Sequence, residues 1–349
     1  MSTAPRPDRP MEPHRGVRVG DAAVPGPSGR YRLRAATLPV DLAEGITDTT
    51  RALYTARLEA FADWCVKHAF CSPRWLAGAG PRVYNSALKA QLQQMVCDQA
   101  PIPHGMQLVA AFMHKFPWTR GMCAEAWRAL RVWQNSVPSV SRLPLDRDLH
   151  RAMVALALYW KWPRLALALA IAFVGYLRPA EAANICKQHV RFLRKPSGVS
   201  LAIAIVRPKT RFRAARLQAI AIQDLEVVSL ASKVLPNLAA RHKLLPGGTA
   251  DLSVRFAALL AALGAGSLGY TPGSLRPGGI VSDFVGGDLH LTEAMFQGRW
   301  VSVRSVTRYL QAGMSAWAAA DMPEEVAILV DSLAPLLQSL IGSHSADAR

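Results

Sequence analysis

The fold is decided by the stretch VSLAIAIVRPKTRFRAARLQAIAI, residues 199–222. Its two ends, 199–206 and 215–222, have the composition of strands, and the basic segment RPKTRFRA separates them. The stretch therefore predicts a β-hairpin. Because the chain around it follows a helical period, we expect a mainly α fold (α+β) with one small β-hairpin or sheet.

Apolar residues recur at helical spacing on both sides of the hairpin. They predict helices near 148–160, 163–175, 224–235, 250–263, 275–285, 291–297, 303–318 and 324–341. Further upstream, residues 49–135 carry four apolar stripes, of which Tyr54, Leu58, Phe61 and Cys65 form the first. These stripes predict a bundle of about four helices.

Two segments without a period divide the chain. Residues 1–45 are rich in Pro, Gly and Arg, which predicts a disordered basic leader. The stretch SVPSVSRLP, residues 136–144, carries two prolines and is typical of an interdomain linker. We therefore predict a leader (1–45), a helical domain (46–137), a linker (138–145), a mixed α and β domain (146–321) and a C-terminal helix and tail (322–349).

The charge of the chain indicates a polyanionic partner. The 349 residues carry a formal charge of +17, and the 51% apolar content is that of a folded protein. From 178 to 216 there are ten Lys or Arg residues and a single acid, Glu181. A run of like charge is most often a solvated face, but this one alternates with apolar strand residues at a turn. That arrangement suits a loop laid against phosphates, so we expect a nucleic-acid partner.

Other classes of site have no signature in the sequence. Apolar stretches at 165–177 and 256–275 are short or broken by Gly and Pro, so we expect core helices and no membrane association. The N-terminus lacks the apolar segment of a signal peptide, which predicts an intracellular protein. We expect no metal site, no cofactor and no small-molecule substrate, since there is no metal-ligand spacing and no phosphate-binding GxxxxGK[ST] loop. The five scattered cysteines predict reduced core thiols: Cys65, Cys71, Cys97, Cys123 and Cys186.

Three short motifs carry candidate functional residues. GYLRPAE (175–181) contains Arg178, TPGSLRPGG (271–279) contains Arg276, and GRWVSVRSVTRYLQ (298–311) contains Trp300 and Tyr309. Taken singly, each arginine has an ordinary place at a helix end, and each aromatic has one in a core. Their order and spacing, with Lys209 on the hairpin between the two arginines, form a more specific pattern.

This pattern resembles the tyrosine recombinase (phage integrase) family. It is most similar to the eukaryotic mobile-element members, the DIRS-type retrotransposons and cryptons, in which GRW precedes the tyrosine helix. The resemblance covers about 145–320 and, more loosely, the bundle. It implies a DNA breaking and rejoining catalytic domain at 146–321 and a core-binding domain at 46–137. It also implies DNA recombination or integration, in the nucleus of a eukaryotic host.

The resemblance also implies a role for each residue. Arg178 and Arg276 hold the scissile phosphate, and Tyr309 attacks it to form a 3′-phosphotyrosyl link and a free 5′ hydroxyl. Lys209, or its neighbour Arg211, protonates the leaving oxygen. Such groups meet the needs of phosphodiester cleavage without a metal, namely a nucleophile, cations on the non-bridging oxygens and an acid.

Further residues complete the predicted site. Trp300 occupies a position that the family fills with His or Trp, and Glu181 supports the first arginine. The C-terminal helix is expected to pack on its own domain or to join a tetramer on double-stranded DNA. The predicted DNA contacts are Arg207, Arg211, Arg213, Arg216 and Arg299.

One position departs from the family pattern. The family commonly has His three residues before the second arginine, where this chain has Gly273. A catalytically weakened or inactive DNA-binding relative is therefore one alternative function. A basic helical RNA-binding or scaffold protein with chance motifs is the other.

Overall fold

The computed structural model describes residues 23–25, 31–33, 46–137, 143–196, 198–205, 218–287, 289–300, 302–307, 310 and 320–343. They divide into two compact units. The N-terminal unit contains residues 46–137. The C-terminal unit contains the other described residues. Of the predicted leader, only β1 (Ala23–Pro25) and β2 (Tyr31–Leu33) are described, and they pair as antiparallel strands.

The N-terminal unit is a helical bundle. Its apolar core includes Phe61, Leu88, Phe112 and Leu130, which are almost completely buried. Among residues 46–137 the helices are α1 (Asp48–Lys67), α2 (Pro73–Ala79), α3 (Pro81–Cys97), α4 (Ile102–Lys115) and α5 (Ala124–Ser136). The expected count of about four missed α2, because a helix of two turns is too short to display a period.

The C-terminal unit is also mainly helical. Among its described residues the helices are α6 (Arg147–Tyr159), α7 (Pro163–Val174), α8 (Pro179–Ala183), α9 (Leu225–Val234), α10 (Gly248–Ala262), α11 (Leu275–Val285), α12 (Leu291–Gln297), α13 (Val303–Thr307), α14 (Glu324–Leu333) and α15 (Leu337–Ser343). Helix α7 lies in the core, since every side chain from Leu165 to Phe173 is buried. Its apolar composition is thereby explained by burial within the unit.

A small antiparallel sheet interrupts these helices. It contains β3 (Val190–Lys195), β4 (Gly198–Ile205) and β5 (Gln218–Ile222) in the order β3-β4-β5. Pairing of β4 with β5, in the register Ile205 opposite Gln218, confirms the predicted hairpin. Strand β3 was not predicted, because three of its six residues are cations and mask the apolar alternation. The connection 206–217 lies outside the described residues.

The C-terminal helices pack within their own unit. Residues Val326, Val330, Leu337 and Ile341 form a buried stripe on α14 and α15. The predicted single helix is broken at Ala334–Leu336, because Pro335 has no N–H to continue it. By length and composition Glu324–Ser343 is also the one described segment that could span a membrane, with a mean hydropathy of 1.6. This buried stripe packs against α6, whereas Ile328, Leu329 and Leu336 remain exposed.

The cysteines divide into two groups. Cys65, Cys123 and Cys186 are buried, and burial raises the pKa of the Cys65 thiol to about 11. Cys71 and Cys97 are exposed, so the expectation of core thiols was wrong for these two. Cys71 follows the end of α1, and Cys97 is the last residue of α3. Neither belongs to the buried face of its helix.

His150 is a buried titratable group in α6. Its ring stacks on Phe173 at a centroid distance of 4.1 Å, and its Nε2 lies 3.3 Å from the carbonyl oxygen of Leu169. Burial lowers the pKa of His150 to about 3, and Arg147 and Arg151 act in the same direction. The folded protein therefore holds this ring neutral at any ordinary pH.

We predict that His150→Phe flattens the dependence of stability on pH. Between pH 6.5 and 3 the unfolded chain protonates this histidine and the folded chain does not, so stability falls as pH falls. His150 contributes up to about 1.4 kcal/mol per pH unit to that slope. Urea unfolding of both proteins at several pH values in this window measures the difference. Equal slopes in the two proteins would contradict the burial of this ring.

Candidate active site

Five residues predicted for the site lie in the described part of the chain, and the structure links them by contacts. They are Arg178, Glu181, Arg276, Arg299 and Trp300. The remaining predicted residues lie outside the described residues: Tyr309, Lys209, Arg207, Arg211, Arg213 and Arg216.

Arg276 is held in the first turn of α11 against the segment that follows α12. Its side chain is buried, and its Nη2 donates a hydrogen bond of 2.5 Å to the carbonyl oxygen of Gly298. Its guanidinium carbon lies 4.3 Å from the centroid of the Trp300 ring. This is a cation–π contact, and together the two contacts fix the plane and the direction of the guanidinium. Trp300 is thus a support for Arg276.

Close backbone packing places Arg276. A Cβ at Gly279 would lie 2.1 Å from the carbonyl oxygen of Phe173, and one at Gly278 would lie 2.3 Å from that of Leu145. Only glycine permits α11 to approach α7 and the segment before α6 so closely. The close packing that Gly278 and Gly279 permit therefore fixes the position of Arg276 in the unit.

Gly298 allows Trp300 to fold back over Arg276. A Cβ at this position would lie 1.5 Å from Cζ3 of the Trp300 ring. Any side chain here must displace the indole. The glycine of GRW therefore has a steric role that its sequence position did not reveal.

We predict that Gly298→Ala destabilises the C-terminal unit by about 1–3 kcal/mol, the usual cost of overpacking. The added methyl group pushes the indole away from the Arg276 guanidinium. Urea unfolding measures the loss. Gly266→Ala is the matched control, because its Cβ meets only an ordinary contact at 3.8 Å. An equally small effect of both substitutions would contradict the packing of Trp300.

Arg178 is fixed by Glu181, one turn into α8. The Glu181 carboxylate accepts from the Arg178 backbone N–H at 3.0 Å through Oε2, and from its Nη1 at 2.8 Å through Oε1. Pro179 begins the helix, where its fixed φ suits the first turn. One carboxylate thus orients both the backbone and the guanidinium of the first arginine.

Arg299 shares that carboxylate. Its Nη2 lies 2.8 Å from Glu181 Oε2, and its Nη1 donates to Gln218 Oε1 at 3.3 Å. Its side chain is only 9% exposed, so the guanidinium points into the protein. The prediction that Arg299 contacts DNA does not account for this placement. Burial against Glu181 explains it, because a buried carboxylate needs cationic partners.

The charge balance of this cluster favours an anion. Burial tends to raise the pKa of Glu181, but the Arg299 and Arg178 guanidiniums outweigh it and hold the pKa below its usual range. The carboxylate is therefore ionised. The cluster has a net charge of +2, because it contains three arginines and one carboxylate: Arg178, Arg276, Arg299 and Glu181. Paired guanidiniums with this surplus are suited to the oxygens of a phosphate.

A second contact joins the two arginine motifs. Tyr176 adopts a left-handed φ of 47° two residues before Arg178, and its hydroxyl donates to Asp283 Oδ2 in α11. Arg147 pairs with the other oxygen of the same carboxylate. The turn before Arg178 is thereby fastened to the helix that carries Arg276. Tyr176 and Asp283 were not predicted, since no motif marks a pair so far apart in the chain.

A cavity of about 440 Å³ lies elsewhere in the C-terminal unit, between α6, α7, α9 and α15. Its arginines are paired with acids, Arg147 with Asp283 and Arg151 with Glu226. It therefore offers less to an anion than the cluster around Glu181. Among the residues that the structure describes, no group of three His, Cys, Asp or Glu side chains could hold a metal ion.

No protein-family model matches this sequence, and neither does any curated protein.

Proposed function

We propose that the protein is a DNA-binding tyrosine recombinase that breaks and rejoins double-stranded DNA through a 3′-phosphotyrosyl intermediate. The observation that supports this best is the position of the Gly298–Trp300 segment. It contacts Arg276 on one side and, through Arg299, the Glu181 carboxylate that orients Arg178 on the other. Two arginines from distant motifs thus belong to one contact network, as phosphate binding requires.

In the proposed reaction the scissile phosphate lies against Arg178 and Arg276. The Tyr309 oxygen attacks the phosphorus, so a P–O(Tyr) bond forms and the bond to the 5′ oxygen breaks. Lys209 donates a proton to the leaving oxygen, and the phenolic proton passes to water; if Arg211 occupies that position instead, it stabilises the leaving oxygen as a cation and the proton comes from water. The two guanidiniums stabilise the charge on the non-bridging oxygens, and they stay protonated at any working pH.

Rejoining is the reverse step. The 3′-phosphotyrosyl bond keeps the energy of the broken phosphodiester, so a 5′ hydroxyl from another strand can attack it without ATP. The tyrosine is then released. Exchange of strands between duplexes follows, which is the chemistry of DNA recombination and DNA integration.

The remaining parts of the chain supply DNA affinity in this proposal. Residues 146–321 form the catalytic domain and 46–137 the core-binding domain, and copies of the chain associate on DNA. Residues 207–216 belong to the segment that connects β4 to β5, which pair with each other. The DNA backbone is contacted by the Lys and Arg residues of 207–216. Such contacts dominate affinity and make it fall steeply with salt.

A nicked suicide substrate tests the proposal. A pool of end-labelled duplexes of randomised sequence carries a nick, so that the released 5′-hydroxyl fragment diffuses away and rejoining is blocked. We expect a labelled protein–DNA complex that survives denaturation in detergent. Firm duplex binding without any such complex would contradict the enzymatic function.

A second candidate function is a catalytically weakened relative that binds DNA. Gly273, which occupies the position of the family's usual histidine, is buried in the short 3₁₀ turn Pro272–Ser274 and offers no side-chain proton acceptor. Loss of general acid–base help costs about 10²- to 10⁴-fold. A single-turnover rate of covalent complex formation that stays barely measurable, with duplex binding intact, would favour this candidate.

A further inference from the structure

We propose that Arg299 is a positioning residue that sets the Arg178 guanidinium through Glu181, and that it does not contact a DNA phosphate. This inference rests on the proposed function, because it assigns Arg178 to the phosphate. It differs from the sequence prediction for Arg299, which was a DNA contact.

Arg178 and Arg299 share one carboxylate, that of Glu181. Glu181 Oε1 accepts from Arg178 Nη1 at 2.8 Å, and Oε2 lies 2.8 Å from Arg299 Nη2. Since both oxygens are committed, the Glu181 carboxyl plane cannot turn without breaking one of these bonds. Oε2 also accepts from the Arg178 backbone N–H at 3.0 Å, so Arg299 adds a contact from outside the motif to the carboxylate that orients Arg178.

The two arginines that share Glu181 differ in exposure. The Arg178 side chain is 27% exposed, whereas those of Arg299 and Glu181 are 9% and 5% exposed. To contact a phosphate in solvent, Arg299 would have to break its ion pair with Glu181. Breaking that pair is costly, because it takes one positive partner away from a carboxylate that is almost completely buried.

The backbone of the GRW segment directs its side chains to different partners. Arg299 has a φ of +57°, a left-handed conformation that is unfavourable for a residue with a side chain. Gly298 and Trp300 contact Arg276, while Arg299 contacts Glu181 and Gln218. The left-handed backbone at Arg299 thus directs its side chain to Glu181 in the Arg178 motif, whereas the residues on either side of it contact Arg276.

Gln218 extends the network towards the basic hairpin. It is the first residue of β5, directly after the segment 206–217 that contains Lys209. Its Oε1 accepts from Arg299 Nη1 at 3.3 Å. Arg299 therefore connects the first arginine motif to the strand that follows the proposed proton donor.

Arg299→Gln separates positioning from phosphate binding. We measure duplex affinity against salt concentration and, on the nicked duplex pool, the single-turnover rate of covalent complex formation. We expect the rate to fall about 10²-fold, the cost of a misplacement of about 1 Å, with an unchanged salt slope. A slope smaller in magnitude by about 0.9, the value of one lost phosphate contact, would overturn the proposal. Arg213→Gln is the control for such a loss.

A double substitution tests whether Arg299 acts through Glu181. If it does, Glu181→Gln combined with Arg299→Gln slows the reaction no more than the stronger single change. Additive effects would contradict the coupling. Should Arg299→Gln fail to fold, Arg299→Lys serves in its place. It is expected to react about tenfold more slowly, because lysine lacks the fork that reaches both partners. A wild-type rate would contradict the proposal.

The same measurements separate this inference from the proposed function. If the wild-type protein binds duplex DNA but forms no covalent complex, the recombinase proposal fails. The salt slope of Arg299→Gln then still decides whether Arg299 contacts phosphate: an unchanged slope supports its internal role, and a reduced slope contradicts it.

Discussion

Tyr309→Phe is expected to abolish covalent complex formation on nicked DNA. The substitution removes the only protein atom that bonds to phosphorus in the proposed reaction and changes no charge at neutral pH. We expect duplex affinity to stay within about threefold of the wild-type value, because phosphate contacts to Lys and Arg dominate it. Detergent-resistant labelled complexes and filter binding measure the two quantities on the same preparation.

Tyr159→Phe is the matched control for this prediction. Tyr159 is the last residue of α6 and is 69% exposed, so the loss of its hydroxyl is expected to leave complex formation unchanged. Persistence of the covalent complex in Tyr309→Phe would show that another residue is the nucleophile. The assignment of roles around Arg178 and Arg276 would then have to be abandoned.

Arg276→Gln is expected to slow covalent complex formation about 10³-fold, in line with the loss of a single preorganised donor to a developing anion. Glutamine lacks the charge of arginine and its cation–π contact with Trp300. Arg276→Lys is expected to recover little of the rate, since an ammonium cannot donate as a planar fork. Single-turnover kinetics on nicked duplex give the rates.

Arg255→Gln controls for the loss of an arginine that contacts tryptophan. Arg255 lies over the Trp162 ring at 5.1 Å and pairs with Asp251, in the same unit as Arg276 but in a different helix. We expect its substitution to change stability slightly and the reaction rate not at all. If both substitutions slow the reaction equally, the effect of Arg276→Gln is structural and the phosphate-binding role is contradicted.

Sequence patterns predicted the fold class because the relevant patterns are local. Alternating apolar residues in β4 and β5 and the continuous apolar run of α7 reflect burial directly. Strand β3 escaped prediction because Arg191, Arg194 and Lys195 interrupt its apolar residues. Helix α2 escaped it because seven residues hold too few turns to show a stripe.

The candidate site was predictable only in part. Short motifs with fixed spacing identified Arg178, Arg276 and Trp300, because proline and glycine beside them mark helix starts and close approaches. The role of Arg299 was not predictable, since it depends on a left-handed backbone and on a carboxylate 118 positions away. Contacts of that kind arise from the tertiary fold, and a single sequence does not display them.

In the proposed reaction a tyrosine oxygen attacks a phosphate held by the two arginines. Mass spectrometry of the peptide that remains attached to the 3′ end of cleaved DNA identifies the attacking residue. We expect a nucleotide linked to Tyr309, in a yield that Arg276→Gln greatly reduces. A nucleotide linked to any other side chain, or a yield independent of Arg276, would contradict it.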